Sequence, residues 1–223
     1  MIESILPPQV ATQVSIGDQL PGELTTEEAM LVERAVPRRV REFAAGRHCA
    51  RQALRQLGIS PGSILCGPQR EPIWPEGIVG SITHCTGYQA AAVAWRRDLV
   101  TIGIDAEPHA PLPPETLGQV GRPQELAWLQ RAPLGTHWDK LLFSAKESVY
   151  KAWFPLTRQW LGFEEVEIAF DPDRATFQAK LLRPHPVQTG QALIGFQGRY
   201  LIQDGLILTA TTLPDWGNAT AEE

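Results

Sequence analysis

The chain has 223 residues, 43% of them hydrophobic, and a formal net charge of −5 at pH 7. Its length fits one domain or two, and no apolar run approaches the roughly 20 residues of a membrane-spanning helix. Glu3 and two prolines stand near the N-terminus, where a signal peptide has a basic start and an apolar run. These features predict a globular protein of the cytoplasm that makes no membrane contact.

The sequence has three cysteines, Cys49, Cys66 and Cys85. Their number is odd and no pair has Cys-x-x-Cys spacing, so the pattern indicates neither a disulfide framework nor a structural zinc site. We expect three buried, reduced thiols.

The first predicted elements are two helices. A Thr25-x-x-Glu28 capping box opens a helix over about residues 27–36. Pro37 in a first turn and Gly58 just past the end frame a longer helix, because proline is tolerated at a helix start and glycine is favoured beyond a helix end.

This second helix is rich in arginine. Residues 34–55 hold seven arginines against one acid, Glu42, which gives the segment a net charge of +6. Arg47 falls on the apolar stripe and Arg39 on the same flank, where an arginine is costly unless a partner neutralises it. A buried phosphate would satisfy both. The other five arginines are expected on a solvated face: Arg34, Arg38, Arg41, Arg51 and Arg55.

Three strands are predicted next, at residues 78–84, 88–95 and 100–107. Apolar and polar residues alternate along the third strand, and side chains at i and i+2 share one face. Asp105 and Glu107 should therefore point the same way.

Gly103 precedes these carboxylates on the same polar face. Because glycine has no side chain, the backbone there is open to close approach. We expect a bulky ligand to lie against the strand at this position.

Helices are predicted again after a proline-rich passage, which is expected to form a loop or lid. A short helix is predicted around residues 123–131 and a longer one over residues 137–154, ended by Pro155. Glu147 and Lys151 lie together on one face of the longer helix, away from its apolar stripe.

Four strands complete the chain, at residues 164–170, 175–182, 193–202 and 206–213. Asp-Gly between the last two is typical of a hairpin. Residues after Asn218 are expected to be frayed. Helices followed by strands, twice over, predict an α+β fold.

Carboxylates from the third strand and the long helix could meet in space. Asp105, Glu107 and Glu147 would supply the hard oxygen ligands that Mg²⁺ prefers and leave positions for water and phosphate oxygens. Mn²⁺ is an alternative. Taken singly, each part has an ordinary explanation: Glu147 and Lys151 at i, i+4 usually form a surface ion pair, and Asp-x-Glu at a strand end is often a solvated turn.

Three segments in order make the pattern specific: Arg70–His84, Gly103–Glu107 and Phe143–Ala152. Together they resemble the motif set of the 4'-phosphopantetheinyl transferases, in particular the larger single-chain type that modifies carrier proteins of siderophore, polyketide and nonribosomal peptide biosynthesis. The similarity runs from about Arg38 to Phe163.

The resemblance implies a fold and a reaction. The fold would be two similar α/β halves, residues 1–103 and 104–223, related by pseudo-twofold symmetry, with the active site in the cleft between them. The N-terminal half would bind the 3'-phosphate and the diphosphate of coenzyme A, and the C-terminal half would carry the metal and the catalytic helix. The enzyme would transfer 4'-phosphopantetheine from coenzyme A to a serine of an apo acyl, peptidyl or aryl carrier protein and release adenosine 3',5'-bisphosphate.

The resemblance also implies the catalytic roles. Mg²⁺ held by Asp105, Glu107 and Glu147 would bridge the coenzyme's diphosphate. Lys151 and His84 would stabilise the negative charge that develops, and Glu147 would deprotonate the serine.

Further residues would bind the coenzyme. By resemblance, Arg39 and Arg47 bind its 3'-phosphate together with Thr83, and His84 donates to the diphosphate. Some relatives have a lysine where this chain has Cys66, which leaves Arg70, or nothing, to supply that charge. Lys146 could be a surface pair or a phosphate contact.

Two other classes were considered. A nucleic-acid-binding module could use the arginine helix, but the rest of the chain is acidic and no stacking aromatics interleave the arginines. A non-catalytic carrier-binding scaffold could share the fold, although every motif acid and base is present. The enzyme is expected to act as a monomer and to choose its carrier through residues 108–123 and apolar residues near Trp153 and Trp160.

Overall fold

The computed structural model describes residues 1–17, 22–186 and 192–214. Within these ranges, helices and strands mix in the α+β arrangement that the sequence predicts. The helices are α1 (Thr26–Met30), α2 (Pro37–Gln56), α3 (Pro114–Val120), α4 (Pro123–Leu129) and α5 (Trp138–Thr157). The strands are β1 (Ala11–Ile16), β2 (Ile78–Cys85), β3 (Tyr88–Trp95), β4 (Leu99–Pro108), β5 (Val166–Asp171), β6 (Thr176–Pro186), β7 (Ala192–Gln203) and β8 (Leu206–Pro214).

The strands form two sheets. The first has three strands in the order β1-β3-β2, and the second has five in the order β4-β8-β7-β6-β5. All neighbouring pairs are antiparallel. Asp204 and Gly205 both have positive φ, 52° and 74°, which confirms the predicted hairpin between β7 and β8. The frayed end predicted after Asn218 lies outside the described residues.

The two sheets meet edge to edge along β2 and β4. The Ser81 hydroxyl accepts from the Ile104 amide at 3.1 Å, and the Thr83 hydroxyl accepts from the Ala106 amide at 2.9 Å. Because both contacts advance by two residues, β2 and β4 run in the same direction. Buried backbone amides need hydrogen-bond acceptors, and the two hydroxyl groups of β2 supply them to the edge strand β4. These bonds fix β4 against the first sheet.

The helix boundaries agree with prediction for α2 and differ for α1. Pro37 lies in the first turn of α2, and Gly58 has φ +77° just beyond the end. The capping box at Thr25 is present, but α1 ends at Met30 instead of near Val36. Val36 precedes a proline and is extended, with ψ 151°, so the first helix could not reach Val36.

The prediction that Pro155 ends the long helix is wrong. Pro155 lies inside α5, which continues to Thr157 and is closed by Arg158 at φ 55°. A proline in the last turn removes one backbone donor. The turn is nevertheless kept by the Thr157 hydroxyl, which donates to the Trp153 carbonyl, and by the Arg158 amide, which donates to Phe154.

The prediction for Gly103 is also wrong. A Cβ at this position would lie 1.9 Å from the Ser148 carbonyl oxygen and 2.7 Å from the Ala152 amide nitrogen. The backbone that approaches Gly103 therefore belongs to α5, and the polar face of β4 is covered by the helix. Glycine is required here because no side chain fits between strand and helix.

The proline-rich passage after β4, predicted to form a loop or lid, contains helix α3. The three cysteines are free thiols, of which Cys49 is buried and the other two are partly exposed. No helix of the described residues is long and apolar enough to cross a membrane.

Candidate active site

Hydroxyl groups hold α5 on the second sheet. Ser144 and Ser148 of the helix lie 2.9 Å from Thr209 and Thr211 of β8, oxygen to oxygen. The Thr101 hydroxyl of β4 donates to the Ala152 carbonyl at 2.8 Å. These buried hydrogen bonds fix the position and rotation of α5, because each unpaired partner would cost free energy. They bring the acidic end of β4 and the middle of α5 together.

Asp105 is the centre of this contact. Its side chain is 5% exposed, and its Oδ1 accepts from Lys151 Nζ at 2.7 Å while Oδ2 accepts from the Ser144 hydroxyl at 2.8 Å. Lys151 also donates to the Ile104 carbonyl at 3.1 Å. The predicted meeting of strand and helix residues is confirmed for this pair.

The other two carboxylates lie near Asp105. Burial raises the pKa of Glu107, and the charge of Asp105 raises it further. Burial likewise raises the pKa of Glu147, with Lys151 opposing and Asp105 and Glu107 adding to the effect. Like charges raise one another's pKa when they are close. The charge of Asp105 thus acts on the pKa of both other predicted metal ligands.

Ammonium groups already neutralise part of this acidic cluster. Lys151 binds Asp105, and Lys140 Nζ lies 3.2 Å from Glu107 Oε2. Among the residues that the structure describes, no three His, Cys, Asp or Glu side chains are arranged to hold a metal ion together. A cation at this cluster would require the carboxylates to turn away from the two lysines.

A second, basic cluster lies where α2 meets the end of β2. Arg39 Nη1 is 3.0 Å from His84 Nε2, and both approach the Glu42 carboxylate, at 3.8 and 3.4 Å. Burial lowers the pKa of His84, and the charge of Arg39 lowers it further. Since an arginine can only donate, a hydrogen bond between the two side chains requires Nε2 of His84 to be the acceptor, and the proton of a neutral ring would then lie on Nδ1.

Arg47 lies deeper in the same half. It is 5% exposed, and its Nε donates to the Ile64 carbonyl at 2.7 Å while Nη2 lies 3.0 Å from Cys66 Sγ. Burial lowers its pKa, and its guanidinium covers the Phe43 ring at 4.4 Å. The predicted core-facing position is confirmed. Its Nη1 makes no hydrogen bond within the described ranges and is left for another acceptor.

Two predicted coenzyme contacts disagree with the structure. Lys146 is 1% exposed, and its three donors are used by Glu125 at 2.7 Å and by the carbonyls of Val120 and Phe163. Thr83 is also 1% exposed, and its hydroxyl accepts from the Ala106 amide and donates to Asp105. The predicted contact of Lys146 with coenzyme A is wrong, and the Thr83 side chain is not accessible to a phosphate.

A cleft opens beside the acidic cluster. Its volume is about 490 Å³, and it runs between the segment from Gln69 to Ile82 and the C-terminal part of α5. Glu147 and Lys151 line it, and Arg70, exposed and at φ 64°, lies at its rim.

Several residues of this cleft were not predicted from the sequence. Arg158 lines it and donates to Glu71 at 2.9 Å from the other side, and Tyr150 forms a wall against the exposed Trp160 ring, 5.0 Å away. Tyr150 lies three residues after Glu147, which is the spacing of neighbours on a helix surface. Nothing in the sequence indicates the pairing of Arg158 with Glu71.

Comparison with known proteins defines the class of enzyme. Residues 27–94 match the family model of the 4'-phosphopantetheinyl transferase N-terminal domain, and residues 101–202 match that of the 4'-phosphopantetheinyl transferase superfamily. The predicted resemblance is thereby confirmed. The chain belongs to the 4'-phosphopantetheinyl transferases, enzymes that transfer the 4'-phosphopantetheine group from coenzyme A to carrier proteins.

Individual relatives cover almost the whole chain. The 4'-phosphopantetheinyl transferase Svp of Streptomyces mobaraensis is 50% identical over 94% of this chain and 88% of its own length. Npt of Nocardia iowensis is 47% identical over 94% of this chain and 98% of its own. PptT of Mycobacterium tuberculosis is 44% identical over 96% and 98%.

Proposed function

We propose that this enzyme carries out the transfer at the junction of β4 and α5, with the side chains of both elements acting on the coenzyme's diphosphate. The observation that carries the proposal is the contact of Asp105 with Lys151 beside Glu107 and Glu147, at the wall of the cleft. Carboxylates and a lysine next to an open cleft are suited to phosphoryl chemistry, because that chemistry depends mainly on positioning and charge neutralisation.

The acidic cluster fits a divalent cation. Asp105, Glu107 and Glu147 offer the hard oxygen donors that such a cation prefers, and burial, with a contribution from neighbouring carboxylates, raises the pKa of both glutamates. We propose these three residues as the ligands of Mg²⁺, with Mn²⁺ as a substitute. When bound, the ion would neutralise the diphosphate and polarise it toward attack.

Glu147 is proposed as the general base. A raised pKa brings a carboxylate closer to the pH at which the enzyme works, where a base is most effective. It would take the proton of the carrier's serine, directly or through a water molecule. The serine oxygen then bonds to the phosphorus that bears pantetheine, the bond from that phosphorus to the bridging oxygen breaks, and adenosine 3',5'-bisphosphate leaves.

Lys151 and His84 are proposed to stabilise the charge that moves to the phosphate oxygens. Lys151 uses two of its three donors on Ile104 and Asp105, which leaves one for a phosphate oxygen. His84 uses Nε2 on Arg39 and so presents its Nδ1 proton.

The 3'-phosphate is proposed to bind to Arg39 and Arg47. The two guanidinium groups are close enough for the charge of Arg39 to lower the pKa of Arg47, and a dianion between them would remove that repulsion. Planar guanidinium forks suit phosphate well. Arg70 at the rim of the cleft supplies further positive charge.

The coenzyme is proposed to lie between two halves of the enzyme. The halves, residues 1–103 and 104–223, would be related by pseudo-twofold symmetry. The edge contact of β2 with β4 supports this boundary, and so do the two family models, which meet near it. We further propose that the enzyme acts as a monomer in the cytoplasm, and sedimentation of the purified protein tests the first point.

Intact mass of apo carrier proteins tests the function. The enzyme, coenzyme A and Mg²⁺ are incubated with a panel of acyl, peptidyl and aryl carriers, and we expect the mass of at least one to rise by one phosphopantetheine group. As a control, Glu33→Gln should modify the same carriers as wild type, because Glu33 is exposed and lies outside the site. Binding of carriers without any mass change would instead indicate a scaffold protein.

A further inference from the structure

We propose that Lys140 is an internal counter-cation of the acidic cluster, and that its ammonium group must leave Glu107 when a divalent cation binds there. The inference rests on the proposed metal role of Asp105, Glu107 and Glu147. It adds to that role a residue that sets how tightly the ion is held.

The contact is local and partly shielded. Lys140 Nζ lies 3.2 Å from Glu107 Oε2, and the two side chains are only 14% and 23% exposed. The ammonium group also lies over the Phe143 ring, 5.6 Å from its centre, so an aromatic face attracts the charge as well as the carboxylate. The position of Lys140 is therefore defined by the ring as well as by the carboxylate.

Helix geometry aims this lysine at the site. Lys140, Ser144, Glu147 and Lys151 are separated by steps of four, three and four residues and share one face of α5. Ser144 and Lys151 bind Asp105, whereas Lys140 binds Glu107. Each acidic residue of β4 thus receives its own ammonium group from the same helix.

The two lysines differ in what else they contact. Lys151 also binds the Ile104 carbonyl and lines the cleft, as expected of a residue that meets the substrate. Within the described ranges, the hydrogen bond to Glu107 is the one that Lys140 makes. Its role is accordingly to neutralise Glu107. Burial and the charge of Asp105 raise the pKa of Glu107, and Lys140 lowers it.

Two electrostatic effects make Lys140 a competitor of the ion. A divalent cation gains the Glu107 carboxylate only after the lysine gives it up, and the displaced ammonium group still repels the ion from nearby. Without the lysine, the cation should bind more tightly. The metal-free protein should then be less stable, because Glu107 would lie beside Asp105 with no compensating charge.

The experiment compares charge at two positions. Lys140→Gln removes the ammonium group and keeps a donor for Glu107. Lys180→Gln, at an exposed position of β6, is the matched control. Binding of Mn²⁺ to the enzyme without coenzyme A is measured by electron paramagnetic resonance. We expect the Kd of Lys140→Gln to fall about fivefold, the effect of losing one ion pair, and that of Lys180→Gln to stay unchanged.

Thermal unfolding in EDTA gives the second measurement. Lys140→Gln should melt about 2 °C below wild type, and Lys140→Arg, which keeps the charge, should restore both the melting temperature and the Mn²⁺ affinity. Equal or weaker Mn²⁺ binding by Lys140→Gln would overturn the inference.

Asp105→Asn separates this outcome from failure of the proposed function. If wild type binds Mn²⁺ and Asp105→Asn weakens the binding, the carboxylates hold the ion whatever Lys140 does. If wild type binds no Mn²⁺, or if Asp105→Asn binds it as well as wild type does, the metal assignment and the inference both fail.

Discussion

Lys146 and Lys151 lie on the same helix and belong to the same motif, but they face different parts of the molecule. Lys146 is buried at the side of α5 that contacts α3 and α4, where Glu125 and two carbonyls use its three donors. Lys151 lies at the cleft and keeps a donor for a ligand. Two lysines of one helix thus have different roles: Lys146 stabilises the packing of α5, and Lys151 is available for binding. The residues around each lysine determine its role.

The largest expected effect concerns the cleft side. Glu147→Gln should reduce kcat about 10³-fold, because the variant cannot accept the serine proton. Its melting temperature at pH 8 should not fall, since burial already disfavours the charged carboxylate. Carrier modification followed by mass, with calorimetry alongside, measures both. Near-normal turnover would show that Glu147 is not the base.

The packing side should behave in the opposite way. Lys146→Met removes the ammonium group that neutralises buried Glu125 and should cost about 3 to 5 kcal/mol of the free energy of unfolding. Chemical denaturation measures the loss.

The double variant Lys146→Met with Glu125→Gln is the control, because it removes both charges but keeps an acceptor for the Ile168 amide, and it should recover part of the stability. Activity per folded molecule should stay within about twofold of wild type in both. A stable but inactive Lys146→Met would contradict the comparison and restore a ligand role to this lysine.

A smaller effect is expected at the basic cluster. Arg39→Gln should raise the KM for coenzyme A about tenfold, the value of one charge-assisted contact, with little change in kcat. The KM for 3'-dephospho-coenzyme A should not change, because that substrate lacks the phosphate. Arg41→Gln, on the exposed side of α2, is the control. An equal rise in KM for both substrates would show that Arg39 does not bind the 3'-phosphate.

The smallest effect is on stability as a function of pH. Burial lowers the pKa of His48, His84 and His109 from 6.5. Between the lowered values and 6.5, the unfolded chain binds more protons than the folded protein, so stability falls as the pH decreases through this window. Urea denaturation at pH 7.5 and 5.5 measures the loss, and His84→Gln should reduce it. A slope unchanged in that variant would exclude a contribution from His84.

The sequence predicted which residues share a face better than it predicted what covers that face. Alternation along β4 placed Asp105 with Glu107, and helical spacing placed Glu147 with Lys151. In the structure Asp105 contacts Lys151, Glu107 contacts Lys140 of the same helix, and Glu147 lines the cleft with Lys151. The same alternation predicted that a ligand would lie against Gly103, but helix α5 occupies that position. Periodicity describes one element at a time, and the partner that packs against it depends on the whole fold.

Lys146 shows the same limit for charge. A lysine next to Glu147, the proposed base, is ordinarily a surface residue, and no spacing links Lys146 to Glu125, which lies in a different helix. Pro155 shows the limit of a local rule, because a proline in the last turn removes one backbone donor while the Thr157 hydroxyl and the Arg158 amide still bond that turn. Long-range contacts of this kind are outside the reach of pattern analysis.

The edge-to-edge contact of β2 and β4 has a practical consequence for dividing the chain. An uncovered edge strand is a template for aggregation, and here each sheet shields the other through Ser81 and Thr83. A fragment cut in the turn between β3 and β4 would expose a bare edge on both pieces. Co-expression of the two fragments, rather than either one alone, is therefore the way to obtain material that stays in solution.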